Sequence, residues 1–247
     1  RDNVNIIYAA TGYLGNGNVY RSTDGGLNWN SGSDEEWLGL KSYSLGGLKS
    51  AALTVLCDYD DADIPIINYP SVWVGSQGNG VFYSTDGRLF QIPAAGSALR
   101  LKGSVNEIVR VKGTHNDPDN PNERAILYAG TASGVYKSFD GGRTWFQGGG
   151  APPGTPNAFP NNHVTALAVH SSATGGESDV LYAGTEDAGV WVSTDSGENW
   201  TPFREGLGKG LSATVPIADK RNTGTGTMSE VTVGPDAKSE NWSVVYA

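Results

Sequence analysis

An all-β protein built from a repeated four-stranded antiparallel unit is what this sequence predicts, and three observations predict it. The 247 residues include 35 Gly and 12 Pro, a single Met, and only 17% charged residues. That composition describes many short strands joined by tight turns and leaves little helical signal. An eight-residue segment recurs along the chain, and paired apolar runs separated by Gly-rich turns precede each copy. A repeat at fixed spacing means one supersecondary unit used several times.

The recurring segment reads Ser22-Thr23-Asp24-Gly25-Gly26-Leu27-Asn28-Trp29, Ser138-Phe139-Asp140-Gly141-Gly142-Arg143-Thr144-Trp145 and Ser193-Thr194-Asp195-Ser196-Gly197-Glu198-Asn199-Trp200. A shorter copy, Ser84-Thr85-Asp86-Gly87-Arg88-Leu89-Phe90, lacks the second Gly and ends in Phe, so its turn should differ. The aspartates at 24, 86, 140 and 195 are 62, 54 and 55 residues apart, the length of one four-stranded propeller blade with variable loops. In the segment, called a box below, Asp accepts hydrogen bonds from turn amides, Gly takes a positive φ and the aromatic packs between sheets.

Upstream of each box lies a hairpin. Ile7-Tyr8-Ala9-Ala10, Val72-Trp73-Val74-Gly75, Leu127-Tyr128-Ala129-Gly130 and Leu181-Tyr182-Ala183-Gly184 precede Val19-Tyr20, Val81-Phe82, Val135-Tyr136 and Val190-Trp191. An earlier alternating strand appears at 52–55, 107–111 and 164–169, and the residues after each box supply the last one. The order is inner strand A, then B, C, the box turn and outer strand D. This gives strands at 5–32, units at 49–93, 104–148 and 162–204, and the start of another at 228–247, with its strand A at 228–233. The run Trp242 to Ala247 repeats the strand-B echo, which places the next box about 13 residues beyond Tyr246, by the spacing of Tyr182 to Asp195. About four blades are visible, and the expectation is a stretch of a larger propeller.

This pattern resembles the Asp-box, or BNR, repeat of sialidases, sortilin-type receptors, xyloglucan-hydrolysing propellers and a photosystem II assembly factor. The resemblance covers essentially the whole chain and implies a β-propeller. It does not imply one activity, because the box lies opposite the usual binding face and members of the family do unrelated things. Ligands in such propellers sit on the face made by the D-to-A and B-to-C loops. The candidates there are Tyr13 in the first B-to-C loop, Trp37 and Tyr43 in the first D-to-A loop, and Arg204 and Glu205 in the last. Aromatics beside charged groups suit sugar binding, and they suit ordinary loop packing as well. Glu107 and Glu230 fall at the same place in strand A of two units and are the candidates for a glycosidase carboxylate pair.

Other chemistries find less support. Sialidases carry an Arg-Ile-Pro, which is absent. The xyloglucan-hydrolysing relatives carry an aspartate in the first B-to-C loop, whereas Ala10 to Gly15 has none. His115, His163 and His170 accompany no nucleophile motif. Acidic runs at Asp58, Asp60, Asp61 and Asp63 and at 116–120 would suit calcium, but they lack EF-hand spacing and fall where turn residues are expected. No metal or cofactor is expected. Asn199 and Asn241 open glycosylation sequons. One cysteine, Cys57, rules out an internal disulfide and is expected as buried filler. A net charge of −9 with scattered basic residues argues against nucleic acid, and no apolar stretch is long enough to insert in a membrane.

The expected function is a secreted or cell-surface, non-catalytic module that binds protein or glycan or builds an extracellular assembly. A glycoside hydrolase with its acid and base on the central face is the alternative. An assembly factor like the photosystem II one is the second alternative, marked by a basic patch that the acidic composition disfavours.

Overall fold

The computed structural model describes residues 6–11, 18–31, 51–58, 71–85, 87, 90–100, 103–111, 114, 124–148, 163–170, 178–186, 188–203, 232–235 and 243–246. All regular structure among them is β, in antiparallel meanders of the β-propeller blade type. The first sheet joins β1 (Ile7–Thr11), β2 (Asn18–Ser22) and β3 (Asn30–Ser31). The second joins β4 (Ala52–Asp58), β5 (Ser71–Ser76) and β6 (Val81–Ser84). Two four-stranded sheets follow: β7 (Val105–Arg110), β8 (Leu127–Thr131), β9 (Gly134–Ser138) and β10 (Phe146–Gln147), then β11 (Val164–His170), β12 (Val180–Thr185), β13 (Val190–Ser193) and β14 (Thr201–Pro202). A hairpin of β15 (Thr232–Pro235) and β16 (Ser243–Tyr246) ends the series.

In the second and third sheets strand B is covered on both faces, which is why it reads as a continuous apolar run rather than an alternating one. Every residue of β5 and of β8 is buried. The outer strands are two residues long, and β10 is exposed, with Phe146 at 58%. Short outer strands blunt the edge against adventitious pairing.

Three expectations are corrected. Among the described residues the second sheet has no fourth strand, and pairing after its box is the single bridge Tyr83↔Gln91. Pro93, two residues on, has no amide hydrogen to continue a ladder. Strand A does not simply alternate. The register skips Leu53 in β4 and Thr165 in β11, placing a bulge at the second residue of both strands, and Leu53 is 41% exposed. Of the strand expected at 228–233 the described part is Thr232–Pro235, and Glu230 lies outside the described residues. Cys57 is half-buried, at the margin of the core rather than inside it.

The chain divides into two compact units. The first comprises Arg1–Ile108, Thr114–Ile126 and Ser138–Trp145. Its core gathers Tyr8, Val19, Ala52, Val72, Val74, Phe82 and Phe90. Phe90 is 2% exposed and fills the place that Trp takes in the other boxes. Two long-range hydrogen bonds in this unit have one design. The Tyr8 hydroxyl donates to the Gly87 carbonyl at 2.9 Å, and the Trp73 indole Nε1 donates to the Gly141 carbonyl at 2.9 Å. In each, the aromatic of one strand B reaches the residue that follows the aspartate of the next box.

The second unit comprises Val109–Gly113, Leu127–Lys137 and Phe146–Ala247. It contains the same joint: the Tyr128 hydroxyl lies 3.1 Å from the Ser196 carbonyl and 3.0 Å from Asp179 Oδ2. Burial, reinforced by the Asp179 charge, pushes the Tyr128 hydroxyl far above its ordinary pKa and keeps it a donor. The Lys137 ammonium sits 4.9 Å from the Tyr128 ring centroid, a cation–π contact. Ser196 replaces the glycine of the other boxes at a positive φ of 60°. Its hydroxyl accepts from the Asp179 amide at 2.9 Å, a bond glycine could not make and one that offsets the backbone strain. In this unit β15 packs beside β11, the inner strand of its sheet.

Candidate functional site

The box turns come first, because their chemistry decides whether they are site or scaffold. Ser22, Ser138 and Ser193 each donate from the hydroxyl to the box aspartate, at 2.8, 2.9 and 2.8 Å. The same oxygens accept from the amides of Gly26, Gly142 and Gly197. Asp24, Asp140 and Asp195 then accept from the amides of Asn28, Thr144 and Asn199 at 2.8–2.9 Å, and from those residues' side chains. Each Trp closes its turn from Nε1 onto the carbonyl of Gly26, Gly142 or Gly197. The polar groups of the motif are spent on one another, so the box is scaffold. Asn199 uses its amide on Asp195 at 2.7 Å, so a glycan on that sequon would break the turn.

These bonds favour the ionised carboxylate. The backbone amide of Asn28, then its side chain and the Ser22 hydroxyl, hold Asp24 at about 2, against an ordinary 3.8. At Asp195 burial is the largest single influence and acts upward, but the bonds from Asn199 and Ser193 together hold the carboxyl below its usual range. A folded pKa below the unfolded one contributes stability above about pH 3.8 that is lost as the pH falls toward 2. An NMR carboxyl titration should show Asp24 inflecting near 2. In Asn28→Ala, which removes only the side-chain donor, the inflection should move part of the way back. An ordinary value in the unaltered protein would contradict the turn described here.

At the opposite end of the sheets, where strand A begins and strand B ends, the chain presents different chemistry. In the second unit His163 stands immediately before β11 and Glu186 immediately after β12. The Glu186 amide donates to the His163 carbonyl at 2.9 Å, and His163 Nδ1 lies 2.9 Å from Glu186 Oε2. An ionised carboxylate can only accept, so Nδ1 carries the hydrogen and Nε2 remains for a ligand. The side chains are 41% and 54% exposed. Beside them the Thr185 hydroxyl donates to the Gly189 carbonyl at 2.7 Å and accepts from the Ala188 amide. Trp191 reaches the Ala188 carbonyl from Nε1 at 3.1 Å. The first unit repeats the backbone bond with Gln77 and Ala51 at 2.8 Å, but those residues carry no titratable pair.

An exposed ion pair of this kind contributes about 1 kcal/mol or less to stability. Its value lies in what it offers outward: a carboxylate oxygen and a ring nitrogen, two acceptors complementary to hydroxyl groups that donate. Sequence reading passed over the pair, since His163 had no motif partner. The signal was positional, for each residue abuts a strand end that the hairpin echo had already located.

Of the residues singled out from sequence, Glu107 lies half-buried in β7. Tyr13, Trp37, Tyr43, Arg204, Glu205, Glu230, Asp60, Asp61, Asp63 and Asp86 lie outside the described residues, and Asp58 is the last residue of β4. The expected Glu107–Glu230 pairing therefore falls on a residue outside the described ones. Among the described residues no three metal-ligating side chains are gathered.

No family model matches the chain. A xyloglucanase of Hypocrea jecorina (strain QM6a) is 27% identical over 155 residues, covering 59% of this chain and 16% of that protein. The chain thus spans less than a fifth of the length of the curated relative it matches. Among solved structures, the GH74 enzyme of Niastella koreensis is similar at a TM-score of 0.45 and 18% identity, over 80% of this chain and 24% of its own. The GH74 xyloglucanase of Xanthomonas campestris is similar at 0.46 and 20%, over 80% and 28%.

Proposed function

We propose that this chain is a glycan-binding stretch of an extracellular Asp-box β-propeller, taking its ligand at the end of the sheets where strand A begins and strand B ends. The observation that carries this reading is the exposed His163–Glu186 pair, whose polar atoms are fixed by backbone yet contribute little to the fold. The similarity to a xyloglucanase supplies the ligand class, a β-linked polysaccharide. Such a ligand is too large to enter a cell, which is the reason for placing the protein outside it or at its surface.

Affinity electrophoresis of the full chain in xyloglucan tests the reading. Retardation is expected, weakened about three- to tenfold by His163→Ala and by Glu186→Gln, as for loss of one hydrogen bond, with the unfolding midpoint unchanged. Migration indifferent to xyloglucan would refute it. The relative's name favours a second reading, hydrolysis, in which Glu107 serves as one of the two carboxylates. Release of new reducing ends from xyloglucan, lost in Glu107→Gln, would establish that reading in place of pure binding.

A further inference from the structure

A second cluster of titratable groups lies in the second unit, at the box end of its sheets. Lys137, the last residue but one of β9, is half-buried, with Nζ 4.9 Å from the Tyr128 ring centroid and 3.4 Å from the Ser196 carbonyl oxygen. The Tyr128 hydroxyl donates to Asp179 Oδ2 at 3.0 Å, and the Asp179 amide donates to Ser196 Oγ at 2.9 Å. The carboxylates of Asp179 and Glu198 both act on the Lys137 charge. One unit thus gathers a primary amine, a phenol that keeps its proton and a carboxylate.

Two features set this amine apart from a lysine on open surface. Its position is fixed, because the Tyr128 ring and the Ser196 carbonyl hold Nζ in one place, whereas an exposed lysine swings through its rotamers. Its proton is held less firmly, because burial pushes the ammonium below its ordinary pKa and outweighs the upward pull of Asp179 and Glu198. A lysine amine without its proton is a nucleophile toward a carbonyl carbon. Condensation with an aldehyde also needs protons moved from nitrogen to the departing oxygen. Asp179 suits that task, since the Tyr128 hydroxyl anchors one of its oxygens and the carboxylate has lone pairs on the other.

We propose that Lys137 is a covalent modification site for small aldehydes, the open-chain form of a reducing sugar among them, with Asp179 as the group that carries the protons. Nζ forms a bond to the aldehyde carbon, and through Asp179 both nitrogen protons pass to the aldehyde oxygen. That oxygen departs as water while a C=N bond forms, and no oxidant or reductant is consumed. The site lies at the end of the sheets away from the His163–Glu186 pair and stands without the glycan-binding reading.

The test is to incubate the full chain with D-ribose and sodium cyanoborohydride, which reduces each imine to a stable secondary amine, and to locate the adducts by peptide mass spectrometry. Among the eight lysines Lys137 should label fastest, about tenfold above the mean of the others, a margin within the roughly hundredfold that one positioned proton-transfer group supplies. The preference should disappear in urea. Asp179→Asn keeps an acceptor for the Tyr128 hydroxyl and removes an upward pull on the ammonium, so it would quicken labelling if proton transfer were immaterial. It should instead bring Lys137 down to the rate of the other lysines. Labelling spread evenly over the lysines, a preference that survives in urea, or an Asp179→Asn chain that labels at least as fast would overturn the proposal.

Discussion

Replacing Trp200 with alanine should lower the unfolding free energy by about 3–5 kcal/mol, the cost of emptying the space of a fully buried indole. Trp200 is 1% exposed and closes its own turn through Nε1 onto the Gly197 carbonyl at 3.1 Å. The substitution removes a large packed surface and leaves a buried carbonyl without its donor, so the two losses act together. Urea unfolding followed by circular dichroism measures the sum. The same substitution at Trp29 should cost much less, because that ring is 42% exposed and much of its transfer free energy is never gained. Equal losses at the two positions would show that box tryptophans act through their turns alone and that burial between sheets contributes nothing.

Gly75→Ala should cost about 3 kcal/mol by the opposite mechanism, overpacking. A Cβ at Gly75 would stand 2.7 Å from the Val105 carbonyl oxygen, 2.7 Å from Thr54 Cγ2 and 2.8 Å from Val105 Cγ1. The nearest obstacle is backbone, which cannot rotate aside, so β5 and the start of β7 would have to separate. Gly78→Ala provides the control. It lies in the turn after β5 at a φ of +87°, with nothing within 4 Å of an added Cβ, so only the backbone penalty of about 1 kcal/mol applies. If Gly75→Ala costs no more than Gly78→Ala in the same assay, the close approach is not a constraint on folding.

The two predictions divide the glycines by cause. Gly26, Gly142 and Gly197 are needed for their positive φ within a turn, and the recurring motif announced them. Gly75 and Gly130 belong to extended strands and are needed for space: a Cβ at Gly130 would stand 2.7 Å from Val164 Cγ1. The sequence displayed those glycines as the last letter of three of the four hairpin echoes without displaying what the letter is for.

What the sequence by itself determined is what closes within a few residues. Each of the three full boxes makes its serine, aspartate and tryptophan bonds across two to four positions, so eight letters specify the turn. The strands on either side were legible for the same reason, since pairing of neighbours through a short turn needs only local pattern. Tertiary structure alone decided the rest. The joints link residues 79, 68 and 68 positions apart, and no local pattern names a carbonyl as the partner of a tyrosine. The bulges at Leu53 and Thr165 arise from register against strand B, which the alternation of strand A does not contain. His163 and Glu186 meet only because β11 and β12 pair antiparallel over their full length, bringing residues 23 positions apart to one end of the sheet. Local hydrogen bonds are encoded by spacing, whereas contacts between sheets depend on where the chain returns. Here the scaffold was of the first kind and the candidate site of the second.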